Sequence, residues 1–86
     1  MDDPTLARLR ARITELDRTI LDAVNLRVEL VSELKRYKDA QGLAFVDPER
    51  ERTMLEELRA ANPGPLSAAG VETLLRALLE LTKSEV

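Results

Sequence analysis

The sequence predicts an all-α fold of three helices, one long and two shorter, packed against a second copy of the chain as a helical homodimer. Apolar residues recur at alternating steps of three and four from Leu6 to Tyr37. Glycine and proline are absent from 5–40 and cluster at 62–65, where one helix must stop and the next begin. No stretch alternates apolar and polar residues in the manner of a strand. With 86 residues, no internal repeat and no low-complexity linker, the chain reads as a single domain spanning 1–86.

The first helix is expected over about 5–40 and ends at Gln41-Gly42, where glycine suits a left-handed stop. At about 1.5 Å per residue it would be on the order of 50 Å long. Leu43-Ala44-Phe45-Val46 is a short apolar connector, and Asp47-Pro48 then supplies an N-cap followed by proline at the first helical position. A second helix is expected over 48–61, stopped by Asn62-Pro63-Gly64-Pro65. Ser67 caps a third, over 67–85.

The long helix carries an apolar seam at Leu6, Leu9, Ile13, Leu16, Ile20, Ala23, Leu30, Leu34 and Tyr37, widened by Leu21, Val24, Val28 and Val31. Two shorter helices laid end to end along it would leave a flat layer with an open core. A second chain packed face to face would close it. An intramolecular three-helix bundle is the alternative, and it requires the long helix to fray. With one tyrosine, one phenylalanine and no tryptophan the core is aliphatic, and so short a chain buries only a modest share of its surface alone.

Composition excludes much chemistry. There is no cysteine and no histidine, so thiol nucleophiles, thiolate metal sites, disulfides and the commonest general base are absent, and no metal or cofactor is expected. Net charge is −3 with both signs mixed along the chain, which argues against a nucleic-acid surface. The start Met1-Asp2-Asp3-Pro4 lacks the features of a signal peptide, and no apolar run approaches the roughly 20 residues of a membrane span. A soluble cytoplasmic protein is the expectation.

Against this background four residues break the helical pattern. Arg27 occupies a position on the apolar seam, and Lys38, eleven residues later, stands almost directly above it at about 3.6 residues per turn. Glu51 lies one turn before Leu55 on the apolar stripe of the second helix, flanked by Arg50 and Arg52. Singly, each has an ordinary explanation: a snorkelling arginine, a solvated cation, an acid at a helix start. Together they point to a local cluster built for an anionic ligand, since buried cations need anions.

The segments Leu9-Arg10-x-x-Ile13, Leu16-Asp17, Arg27-x-Glu29-Leu30, Tyr37-Lys38 and Asp47-Pro48-x-Arg50-Glu51 resemble the all-helical (AroQ-type) chorismate mutases over essentially the whole chain. The most specific part is Lys38 followed, after a fixed loop, by Asp-Pro-x-Arg-Glu. Asn62-Pro63-Gly64-Pro65-Leu66 resembles the connector of members that stand alone or are fused to the first enzyme of the shikimate pathway, so a pathway-enzyme partner is a further expectation. The resemblance implies an intertwined homodimer with two active sites, each lined by both chains. It also implies the pericyclic rearrangement of chorismate to prephenate in phenylalanine and tyrosine biosynthesis. That reaction needs no nucleophile, proton transfer, metal or redox cofactor, which suits a chain without Cys or His.

By the same resemblance, Arg27 and Arg10 of the partner subunit would hold the substrate carboxylates, and Lys38 would sit at the breaking ether oxygen. Asp47 and Glu51 would bind the ring hydroxyl, Arg50 would line the site, and Thr82 would stand where the family has a serine contacting a carboxylate. Arginine grips carboxylates bidentately, whereas lysine acts as a point charge. Val86 departs from the pattern: the family usually carries glutamine or glutamate there, and valine offers no hydrogen bond. As the last residue it is also expected to fray. Isochorismate pyruvate-lyase, a weakly active mutase-like regulatory domain and a plain helical dimerisation module are the alternatives; the full Asp-Pro-x-Arg-Glu signature favours the mutase over the lyase.

Overall fold

The computed structural model describes residues 3–86; Met1 and Asp2, half of the acidic start, lie outside the described residues. Three helices make up the chain, α1 (Pro4–Gln41), α2 (Pro48–Ala61) and α3 (Ala68–Glu85), with no strand among the described residues. None of the helices is long and apolar enough to cross a membrane.

Each helix begins on a side-chain cap. The Asp3 carboxylate accepts from the backbone N–H groups of Thr5 (2.9 Å) and Leu6 (3.2 Å), satisfying donors that have no partner inside α1. Asp47 does the same for Arg50 N–H in α2 (3.2 Å), and Ser67 for Gly70 N–H in α3 (3.0 Å). α1 stops at Gly42, which takes a left-handed conformation (φ 70°, ψ 24°), and Leu43 N–H closes back on the Lys38 carbonyl at 2.8 Å. Between α2 and α3, Asn62 braces its own turn: its amide donates to the Leu66 carbonyl (2.7 Å) and its oxygen accepts from Gly64 N–H (3.1 Å).

The packing differs from two short helices laid end to end along the long one. α3 packs on both α1 and α2, while α1 and α2 make no close backbone approach. Named pairs give the directions. Arg59–Glu72 and Glu51–Lys83 make α2 antiparallel to α3, whereas Arg27–Thr82 and Lys35–Val86 make α3 parallel to the C-terminal half of α1. Asp47, which ends the connector between α1 and α2, is extended (φ −131°, ψ 96°), the usual conformation of an N-cap. α3 fills the angle between α1 and α2.

Little of this chain is enclosed. Val71 and Leu75 on α3 are its buried apolar residues, and every residue from 3 to 23 is exposed. The seam residues Leu6, Leu9, Ile13, Leu16 and Ile20 are 44–59% exposed. The molecule measures 62 × 24 × 17 Å with a radius of gyration of 17.0 Å, against about 12 Å for a compact chain of this length. Its accessible surface is 7098 Å², where a compact monomer of 9.6 kDa exposes about 5,100 Å². Most of the large apolar residues left exposed lie on α1.

Candidate functional site

The C-terminal half of α1, the connector, the first turns of α2 and the end of α3 meet around a cleft of about 290 Å³. Its apolar lining comes from Val31 and Leu34 on α1, Phe45 and Val46 in the connector, Met54 on α2 and Leu79 on α3. Its polar lining is dominated by cations: Arg27, Lys38, Arg50 and Lys83, with the carboxylates Asp47 and Glu51 and the hydroxyl of Thr82. An apolar cleft with a few convergent polar groups is the usual form of a small-molecule site.

Arg27 is half-buried at the edge of the seam, where α3 crosses it. Its Nη1 donates to the Thr82 hydroxyl and, at 3.5 Å, to the Leu78 carbonyl. Thr82, buried within the apolar face of α3, donates its own proton to the Leu78 carbonyl at 2.6 Å, which leaves a lone pair for the guanidinium. The hydroxyl therefore fixes one edge of Arg27. Lys38, three turns further along α1, donates Nζ to the Phe45 carbonyl at 3.4 Å, tying the end of α1 to the connector. Among the described residues neither Arg27 nor Lys38 has a carboxylate within ion-pair distance.

The two cleft carboxylates are already engaged. Asp47 caps α2, and Glu51 pairs with Lys83 across α2 and α3 at 3.6 Å. Arg50 lines the cleft, but its guanidinium reaches outward to Glu57 at 3.9 Å, in a largely exposed pair of little energetic weight.

Six of the residues singled out from the sequence thus come together: Arg27, Lys38, Asp47, Arg50, Glu51 and Thr82. Two do not. Arg10 lies 17 residues before Arg27 on the same straight helix, roughly 25 Å away along the axis, and is exposed. Val86 does not line the cleft of this chain. It is nonetheless anchored rather than frayed: its N–H closes on the Thr82 carbonyl (3.0 Å) and its carbonyl accepts from Lys35 Nζ (3.2 Å), whose ammonium also stands 5.6 Å from the centre of the Phe45 ring.

The sequence reading misses Lys83 and Lys35. Lys83 could have been found, since it lies one turn beyond Leu79 and so shares the face of α3 that carries Val71 and Leu75. Lys35 carries no such signal. Among the described residues no group of three or more His, Cys, Asp or Glu side chains is arranged to hold a metal ion. What the cleft can do is bind a small anion through Arg27 and Lys38 while presenting carboxylates to a hydrogen-bond donor on the same molecule.

Residues 9–85 match the family model described as chorismate mutase type II. The chain is 39% identical over 72 residues to the T-protein of Haemophilus influenzae, covering 83% of this chain and 19% of that one. It is 42% identical over 45 residues to the 4-amino-4-deoxychorismate mutase of Streptomyces venezuelae, covering 52% of this chain and 44% of that one. The chain spans about a fifth of the length of that T-protein and of the bifunctional chorismate mutase/prephenate dehydratase of Stutzerimonas stutzeri, to which it is 34% identical over 79 residues. Among solved structures, the chorismate mutase (form I) of Thermus thermophilus superimposes with a TM-score of 0.88 at 32% identity, covering 91% of this chain and 98% of that one. With the family match running from the first turns of α1 to the end of α3, the chain belongs to the type II chorismate mutase family.

Proposed function

We propose that the chain converts chorismate to prephenate as one half of a homodimer with two shared active sites. The observation that carries this reading is the pair of cations, Arg27 and Lys38, that face one cleft without a carboxylate partner among the described residues. Chorismate is a dianion whose ether oxygen gains negative charge as the C–O bond breaks. Positive charge held at that oxygen lowers the barrier, and cations on the two carboxylates hold the reactive folded shape. Arg27 grips one carboxylate, oriented by Thr82, and Lys38 serves the ether oxygen. The ring hydroxyl is the one hydrogen-bond donor on the dianion, and Asp47 and Glu51 are its acceptors; Arg50 lines the approach to them.

The second carboxylate needs a further cation, and Arg10 of the partner subunit supplies it. Support for a partner comes from the open stripe of α1. An excess surface of about 2,000 Å² per chain, counted over two chains, falls within the range of obligate interfaces. Two antiparallel long helices would bring the N-terminal half of one over the cleft of the other.

Val86 favours a second reading, a weakly active mutase-like domain, because with a valine outside the cleft Lys38 is left as the sole donor for the ether oxygen. One assay addresses both. Purified chain incubated with chorismate is expected to yield prephenate, at a rate that chelators leave unchanged. If chorismate is untouched while isochorismate gives salicylate and pyruvate, the lyase reading replaces this one. If neither reacts, the mutase assignment of the cleft is wrong.

A further inference from the structure

Lys83 is the cleft cation whose partner is a cleft carboxylate: its Nζ stands 3.6 Å from Glu51 Oε1, with side chains 40% and 31% exposed. We propose that Lys83 is a specificity-determining residue that makes this site reject substrates bearing an ammonium where chorismate bears its ring hydroxyl. The proposal rests on the chorismate reading of the cleft.

The charges decide the preference. Asp47 and Glu51 are the acceptors available to the substituted ring carbon, and one Asp47 oxygen is occupied by the Arg50 N–H of its helix cap. Glu51 has its other oxygen clear of the Lys83 contact and presents it as the second acceptor. A lone carboxylate would attract a ring ammonium more strongly than a hydroxyl. With an ammonium already beside it, Glu51 keeps lone pairs for a neutral donor but contributes little net field. A second ammonium would meet Lys83 at a few ångströms. Specificity of this kind comes from the repulsive element as much as from the attractive one. The fold itself accommodates either substituent, since relatives carry the names of both chorismate and 4-amino-4-deoxychorismate mutases. A plain staple between α2 and α3 is the competing role, and Arg59–Glu72 already supplies one at the other end of the same helix pair.

The test compares kcat/KM for chorismate and 4-amino-4-deoxychorismate in the full chain and in Lys83→Gln, Lys83→Met and Lys83→Arg. The full chain is expected to prefer chorismate. Lys83→Gln and Lys83→Met should shift the ratio toward the amine by about tenfold or more, while Lys83→Arg keeps the original ratio. A staple would lower both rates together and leave the ratio unmoved, and that outcome in the folded variants overturns the proposal. A full chain that turns over 4-amino-4-deoxychorismate as well as chorismate also overturns it. Turnover of neither substrate by the full chain removes the chorismate reading itself, a failure that is distinguishable because it precedes any variant.

Discussion

The Arg27 guanidinium and the Thr82 hydroxyl are joined across α1 and α3, and the hydroxyl spends its own proton on the Leu78 carbonyl. One buried threonine thus orients a cation on a different helix. Thr82→Val keeps the shape and removes the acceptor, so melting should change little while kcat/KM for chorismate falls by about tenfold or more, the worth of one hydrogen bond to a charge. Thr82→Ser retains the hydroxyl and should retain most of the activity. Steady-state kinetics alongside thermal melts checks both.

Arg27→Leu completes the apolar seam and removes a half-buried charge. It is expected to melt at or above the temperature of the unmodified protein while losing chorismate turnover by about 10²-fold or more. Lys38→Ala should lose activity on the same scale and remain folded. Opposite signs of stability and activity in Arg27→Leu would separate a ligand cation from a structural one; a less stable variant with unchanged turnover would reverse the assignment.

Dimerisation should depend on the open stripe of α1. Ile13 is 57% exposed in the single chain and sits mid-stripe, so Ile13→Glu is expected to lower the melting temperature and make it steeply dependent on protein concentration. Sedimentation equilibrium provides the mass. A monomer at nanomolar concentration with an unshifted melting temperature in the unmodified protein would remove the shared-site arrangement.

Mixing inactive chains tests where Arg10 acts. Arg10→Ala and Lys38→Ala chains, each inactive alone, should regain activity when refolded together, because one of the two sites in the heterodimer then has all its residues intact. Heterodimers that form without recovering activity would mean that Arg10 does not act across the interface.

Lys35 ties the last residue of α3 to α1. Lys35→Met removes the hydrogen bond to the Val86 carbonyl and the contact with Phe45, at a cost of about 1 kcal/mol. Hydrogen exchange should show faster opening at Lys83–Val86, with the middle of α3 unaffected. Equal protection of that last turn in both proteins would mean that Lys35 does not hold it.

Much of this was legible in the amino-acid order. Asp47-Pro48, Ser67 and Gly42 mark helix ends because capping and left-handed stops depend on local chemistry that a few neighbouring residues carry. Arg27, Lys38 and Glu51 were visible because each breaks an apolar period, and a period is a property of the sequence alone. The tertiary structure decided what periodicity does not encode. It set α3, rather than α2, against α1, which buried Thr82 beside Arg27 and brought Lys83 to Glu51. It also set the Val86 carbonyl against Lys35, with Val86 outside the cleft lining. These are pairings between residues more than thirty positions apart, set by how α3 packs against both α1 and α2 across the six-residue connector 42–47. Helix-forming patterns specify faces, and only packing specifies which faces meet.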